Sequence, residues 1–148
     1  MVVVDRLTKY AYFLPLKHPY TAMGVARVFL DNIVKLHGSS QCIVSDRDKI
    51  FLRTFWKELF RLYGVKLSFS TAYHPQSDGQ TERINQCLEM HLRCAVHDSP
   101  KQWKQWLPLP ELWYNSSYHT ALGCSPFKAL YAYDPNLGLA PLESQVVH

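Results

Sequence analysis

The chain has 148 residues, 47% hydrophobic and 19% charged, the length and composition of one folded domain with a packed core. Four Trp, nine Tyr and seven Phe exclude a disordered chain, because segments unable to bury apolar surface are poor in aromatics. Sixteen Lys and Arg against twelve Asp and Glu leave a charge of +4, a mild bias toward an anionic partner, and no apolar run approaches the roughly 20 residues of a membrane span.

Val2 to Leu16, VVVDRLTKYAYFLPL, reads as two β-strands joined at a tight turn, β-branched in the first run and aromatic in the second. The opening Met1-Val2-Val3-Val4 meets Asp5 at once, which is unlike a signal peptide. Residues 21–37 have the period of an amphipathic helix, with Thr21 as N-cap, an apolar face of Ala22, Val25, Ala26, Phe29, Leu30 and Ile33, and Gly38 as terminator. Cys42-Ile43-Val44 is expected as a short buried strand ending at Ser45-Asp46. A helix from about Thr54 to Tyr63 turns Phe55, Trp56, Leu59 and Phe60 inward and stops at Gly64, and Val65 to Phe69 alternates like a strand.

Residues 70–79 form a loop rich in turn residues, and a long helix follows from about Gln80 to His97, with Ser77 and Gln80 spaced as a capping box. On that helix Ile84, Cys87, Leu88, His91, Leu92 and Ala95 share one side. Cys87 and Cys94, seven apart, are expected as core thiols in a reducing compartment. The four cysteines, with Cys42 and Cys124, form no CxxC pair and no Cys/His cluster of zinc-ligand spacing, so a zinc site is not expected. Helices are expected around 102–118 and 126–131, with Trp103, Trp106 and Trp113 packing in the core, and the chain beyond Pro135 reads as a tail. An opening hairpin followed by alternating strands and helices predicts an α/β domain with a mixed sheet.

Two carboxylates stand where chemistry is expected. Asp46 ends an apolar strand, the edge where α/β folds assemble sites. Glu82 lies in the first turn of a helix, just after a glycine-containing loop. Convergent there, the two would bind a hard cation such as Mg²⁺, which prefers oxygen ligands. Each also has a plain alternative: Asp after a strand is a common turn former, and Glu in a first helical turn suits the helix dipole. Asp48 and Asp78 are open to the same metal reading by position.

At this point the sequence resembles a family. The interval between Asp46 and Glu82, 35 residues, matches the DDE motif of retroviral and retrotransposon integrases. SDRDKIF at 45–51 with Phe55-Trp56, HPQSDGQTERINQ at 74–86, WYNSSYHTALGCSPFKALY at 113–131 and the opening VVVDRLTKYAYFLPL are similar to the gypsy-type LTR-retrotransposon integrase core. The resemblance implies an RNase H-like mixed sheet flanked by helices over residues 1–135, with 136–148 as a C-terminal tail. It implies DNA integration: 3′-end processing and strand transfer by two-metal transesterification, with Mg²⁺ or Mn²⁺ as cofactor, element ends and target DNA as partners, a homo-oligomer, no membrane and a nuclear destination.

Carried over by position, Asp46 and Glu82 are the second and third acids of the catalytic triad. The first acid is expected on a strand preceding VVVDRLTK, so the chain reads as N-terminally truncated, inactive in strand transfer alone and prone to association through exposed strand edges. Asp5 belongs instead to the DRLTK turn. Tyr73, Gln76 and Asp78 on the loop are candidates for touching a DNA end, and Lys9, Arg47, Lys49 and Arg83 for reaching phosphates, each with a solvated surface as the alternative. A non-catalytic retrotransposon relic that binds nucleic acid or protein is the competing reading. Ribonuclease H shares fold and metals, but the HPQSDGQTER and SPFKALY segments argue against it.

Overall fold

The computed structural model describes residues 1–40, 43–64, 79–95 and 100–138, with backbone alone at 79–82, 95 and 100. They fall into two compact units, one of Met1 with Leu14–Met90, the other of Val2–Phe13 with His91–His148.

In the second unit, β1 (Val2–Val4) and β2 (Ala11–Phe13) pair antiparallel in the register Val2↔Phe13, Val3↔Tyr12 and Val4↔Ala11. Asp5 builds the turn between them. Its carboxylate accepts from the Thr8 N–H at 2.8 Å and the Thr8 hydroxyl at 2.6 Å, and its N–H donates to the Tyr10 carbonyl. Lys9 closes the turn at φ 61°, a left-handed conformation rare outside glycine.

The other edge of β2 is held by a helix. α5 in this numbering spans Pro108–Ser116, and its buried Asn115 works as a two-pronged clamp. The Ala11 N–H donates to Asn115 Oδ1 at 2.9 Å, and Asn115 Nδ2 donates to the Ala11 carbonyl at 2.8 Å. One turn earlier, Glu111 Oε2 accepts from the Phe13 N–H at 2.7 Å. An amide and a carboxylate thus take the place of a neighbouring strand, satisfying backbone groups whose burial unpaired would cost about 1–3 kcal/mol each. α6 (Pro126–Tyr131) begins at Ser125, whose hydroxyl accepts from the Lys128 N–H. Tyr10, Tyr12, Phe127, Tyr131 and Tyr133 form a ring cluster with centroids 4.7–6.2 Å apart. Burial pushes Tyr10 up to about 12.

In the first unit, α1 (Ala22–Phe29) starts on Thr21, whose side chain accepts from the Gly24 N–H at 3.1 Å. It continues through a π-helical stretch, Leu30–Val34, into α2 (Lys35–His37), and Gly38 ends the run at φ 79°. In the π stretch the Lys35 N–H reaches back to the Leu30 carbonyl, while Asn32 Nδ2 donates to the Val28 carbonyl at 2.8 Å. α3 (Lys49–Tyr63) packs on α1, with Phe29 against Phe55 at 5.6 Å and Leu52, Phe55 and Leu59 buried. Gly64 caps it at φ 71°. α4 spans Gly79–Ala95, and Ile84 on it is buried.

Several expectations need correction. Ile43 and Val44 are half-buried and carry no strand, since among the described residues nothing pairs with them; Cys42 lies outside those residues. α3 starts five residues before Thr54, because the Asp48 carboxylate accepts from the Phe51 N–H at 2.8 Å and fixes the first turn. Trp56, Phe60 and Leu30 are half-buried rather than core. Cys87 and Cys94 are exposed, as α4 buries a narrow stripe around Ile84 with Leu88, His91 and Leu92 half-buried beside it. The expected helix over 102–118 is a 3₁₀ run, Pro100–Trp106, followed by α5, because Pro108 lacks an N–H and begins a new helix. That restart shifts the helical phase, so Trp113 is 56% exposed while Trp103 and Trp106 are half-buried. The sheet among the described residues is the antiparallel pair; Val65 to Phe69 and Ser77 lie outside them. No helix among the described residues is long and apolar enough to cross a membrane.

Candidate active site

Asp46 sits on the short connection between Val44 and the start of α3, in the unit that also holds the first three turns of α4. It is exposed, and among the described residues its carboxylate has no hydrogen-bond or ion-pair partner. Its neighbours are committed elsewhere. Ser45 Oγ accepts from the Arg47 N–H at 3.2 Å, and Asp48 is spent on capping α3. Asp48 therefore has a structural task in capping α3.

Glu82 is the fourth residue of α4, with its side chain outside the described set, so the expected meeting of the two carboxylates lies outside it as well. Arg83, next to it, is exposed. Tyr73, Gln76 and Asp78 lie outside the described residues. Lys49 is exposed at the first position of α3. Lys9 belongs to the hairpin turn of the other unit, as does Asp5, whose carboxylate is consumed in that turn. Among the described residues no three His, Cys, Asp or Glu converge as a metal cluster. The donor chemistry of Asp46 nevertheless fits a hard cation, since an exposed carboxylate with no partner offers both oxygens.

Two residues at this site escape sequence reasoning. The Arg47 guanidinium lies over the Tyr20 ring at 5.6 Å and the Phe51 ring at 4.4 Å. Tyr20 is distant in sequence, and no local pattern announces that contact.

Comparison with known proteins adds what the geometry leaves open. No family model matches the chain. The transposon Tf2-3 and Tf2-4 polyproteins of Schizosaccharomyces pombe (strain 972 / ATCC 24843) are each 38% identical over 142 residues, covering 96% of this chain and 10% of the polyprotein. The chain thus spans about a tenth of the length of these relatives. The HTLV-2 integrase catalytic core domain, solved in complex with magnesium in a trimeric form, superposes with a TM-score of 0.61 at 20% identity, covering 86% of this chain and 81% of that one. The chain is thus related in sequence to a segment of these transposon polyproteins and shares the fold of an integrase catalytic core. Its fold is the RNase H-like integrase core, helices flanking a small antiparallel sheet, and the hairpin β1–β2 with α5 against its edge is one part of it. Asp46 lies on an exposed stretch just before α3, and Glu82 is in the first turn of α4.

Proposed function

We propose that this integrase core takes part in DNA integration, and that Asp46 and Glu82 are the second and third acids of a centre holding Mg²⁺ or Mn²⁺. The observation that carries the reading is Asp46 itself: in a stretch where Ser45 and Asp48 serve the backbone, its exposed carboxylate has no partner among the described residues. Its interval of 35 residues to Glu82 and the likeness to transposon polyproteins support the same reading. Divalent ions bound there would polarise a phosphodiester, activate the attacking hydroxyl and stabilise the leaving oxygen. The chain's own part is to present the two carboxylates, one just before α3 and one in the first turn of α4, and to offset the ions' charge. Element ends and target DNA are the substrates in this reading, self-association accompanies it, and work on chromosomal DNA implies a nuclear destination. Arg83, Lys9 and the loop residues Tyr73, Gln76 and Asp78 remain candidate DNA contacts.

Mn²⁺ titrated into the chain tests the proposal by calorimetry. Asp46→Asn and Glu82→Gln should each weaken binding at least tenfold, and the double variant should abolish it, while Asp5→Asn and Asp48→Asn leave affinity unchanged. Unaltered Mn²⁺ affinity in the double variant would refute the assignment.

A further inference from the structure

We infer that Tyr20, Arg47 and Phe51 form a preset clamp for a DNA phosphodiester beside the acid Asp46. The inference rests on the integrase reading for its ligand, but the geometry stands by itself. The guanidinium carbon lies over two rings, at 5.6 Å from the Tyr20 centroid and 4.4 Å from that of Phe51. Among the described residues it makes no hydrogen bond and no ion pair, although Asp46 and Asp48 flank it in sequence. Ring contact covers the faces of a guanidinium and leaves its in-plane N–H groups outward, in the fork that matches two oxygens of a phosphate. Fixing a flexible side chain in advance also lowers the entropy lost when an anion binds.

Three further observations select the ligand's charge. Arg47 and Tyr20 are exposed, Tyr20 at 44%. Lys49 is exposed two residues on, at the head of the fifteen-residue α3. The first turn of that helix favours negative charge, and Asp48 satisfies its Phe51 N–H. Asp46 opposes an anion as long as its charge is uncompensated. Binding of a duplex should therefore strengthen when a divalent cation is supplied, whereas the Arg47 contribution persists without one.

Fluorescence anisotropy of a labelled DNA duplex with the full chain, in EDTA and in Mg²⁺, tests the clamp. Arg47→Ala should weaken binding about tenfold in both media and lower the slope of log affinity against log salt by about one. Arg47→Lys should keep the slope and still lose most of the affinity, as a point charge lacks the fork. Tyr20→Phe should match the parent, and Tyr20→Ser should lose part of the affinity without changing the slope. Circular dichroism should show an unaltered fold in each case, the residues being at the surface. Unchanged affinity and slope in Arg47→Ala overturn the clamp, even where Asp46→Asn has lost its divalent ion. Weakened DNA binding in Arg47→Ala, with Asp46→Asn and Glu82→Gln still binding Mn²⁺ normally, sustains the clamp and overturns the metal assignment.

Discussion

Between α1 and α3 the partners meet through hydrocarbon: Phe29 stands edge-on to Phe55, with Leu52 and Leu59 buried nearby. Between α5 and β2 they meet through an amide and a carboxylate, Asn115 on both backbone groups of Ala11 and Glu111 on the Phe13 N–H. Apolar contact is non-directional and tolerates small slides. The polar contact permits one alignment, since a shift of β2 by one residue turns every backbone group the other way. One interface supplies cohesion and the other supplies register, which a two-stranded hairpin cannot hold by itself.

The sharpest break in the comparison is Phe55→Ala. It should lower stability by about 3–5 kcal/mol through a cavity between α1 and α3, read as a fall in the urea midpoint. Asn115→Ala follows, at about 2–4 kcal/mol, because it orphans the Ala11 N–H and carbonyl together. Its signature is local: hydrogen exchange at Ala11 should accelerate more than at any amide of α3. If it accelerates no more than the helix does, the clamp is not what holds β2.

Asp48→Ala should cost about 1 kcal/mol as a lost N-cap. Mn²⁺ affinity should be unchanged, which separates the structural acid from Asp46.

The smallest effect concerns Glu111. Burial pushes its carboxyl above the ordinary 4.5, against a weaker opposing pull from the Phe13 N–H. The folded state then holds a proton the unfolded chain has released, so stability falls as pH rises from 4.5 through the raised value. Glu111→Gln keeps an oxygen for the Phe13 N–H and removes the charge. Its melting temperature should equal or slightly exceed the parent's at neutral pH, by less than about 1 kcal/mol in stability given partial exposure, and the slope with pH should flatten. A melting temperature several degrees lower would show that the negative charge itself holds the strand.

Much of this arrangement is legible in the residues alone. Thr21 and Gly38 bracket the first helix because capping chemistry is local, and Ser125 with Pro126 marks the start of α6. The start of α3 is hidden because Asp48 invites two readings, cap or ligand, and the spacing with Glu82 draws attention to acids. Asp46 and Arg47 both stand out in the sequence as candidates, but the Tyr20 ring over Arg47 is a long-range contact with no local trace. Asn115 and Glu111 leave a faint signal, two polar groups one turn apart on a helix otherwise rich in Leu, Trp and Tyr. Their partner is a backbone edge, which has no side-chain identity to read.

The broadened turn at Leu30–Val34 has a consequence for the helix beyond it. Leu36 lies seven residues after the buried Phe29, a separation that stacks two side chains on one flank of a regular α-helix, yet Leu36 is 59% exposed. The segment behaves as though it carries one residue to spare. Removing a single position between 30 and 34 should rewind it to a regular α-helix with Leu36 still outward, because six residues rather than seven then separate it from Phe29, so this stretch is where the chain can change length with its capping residues left in place.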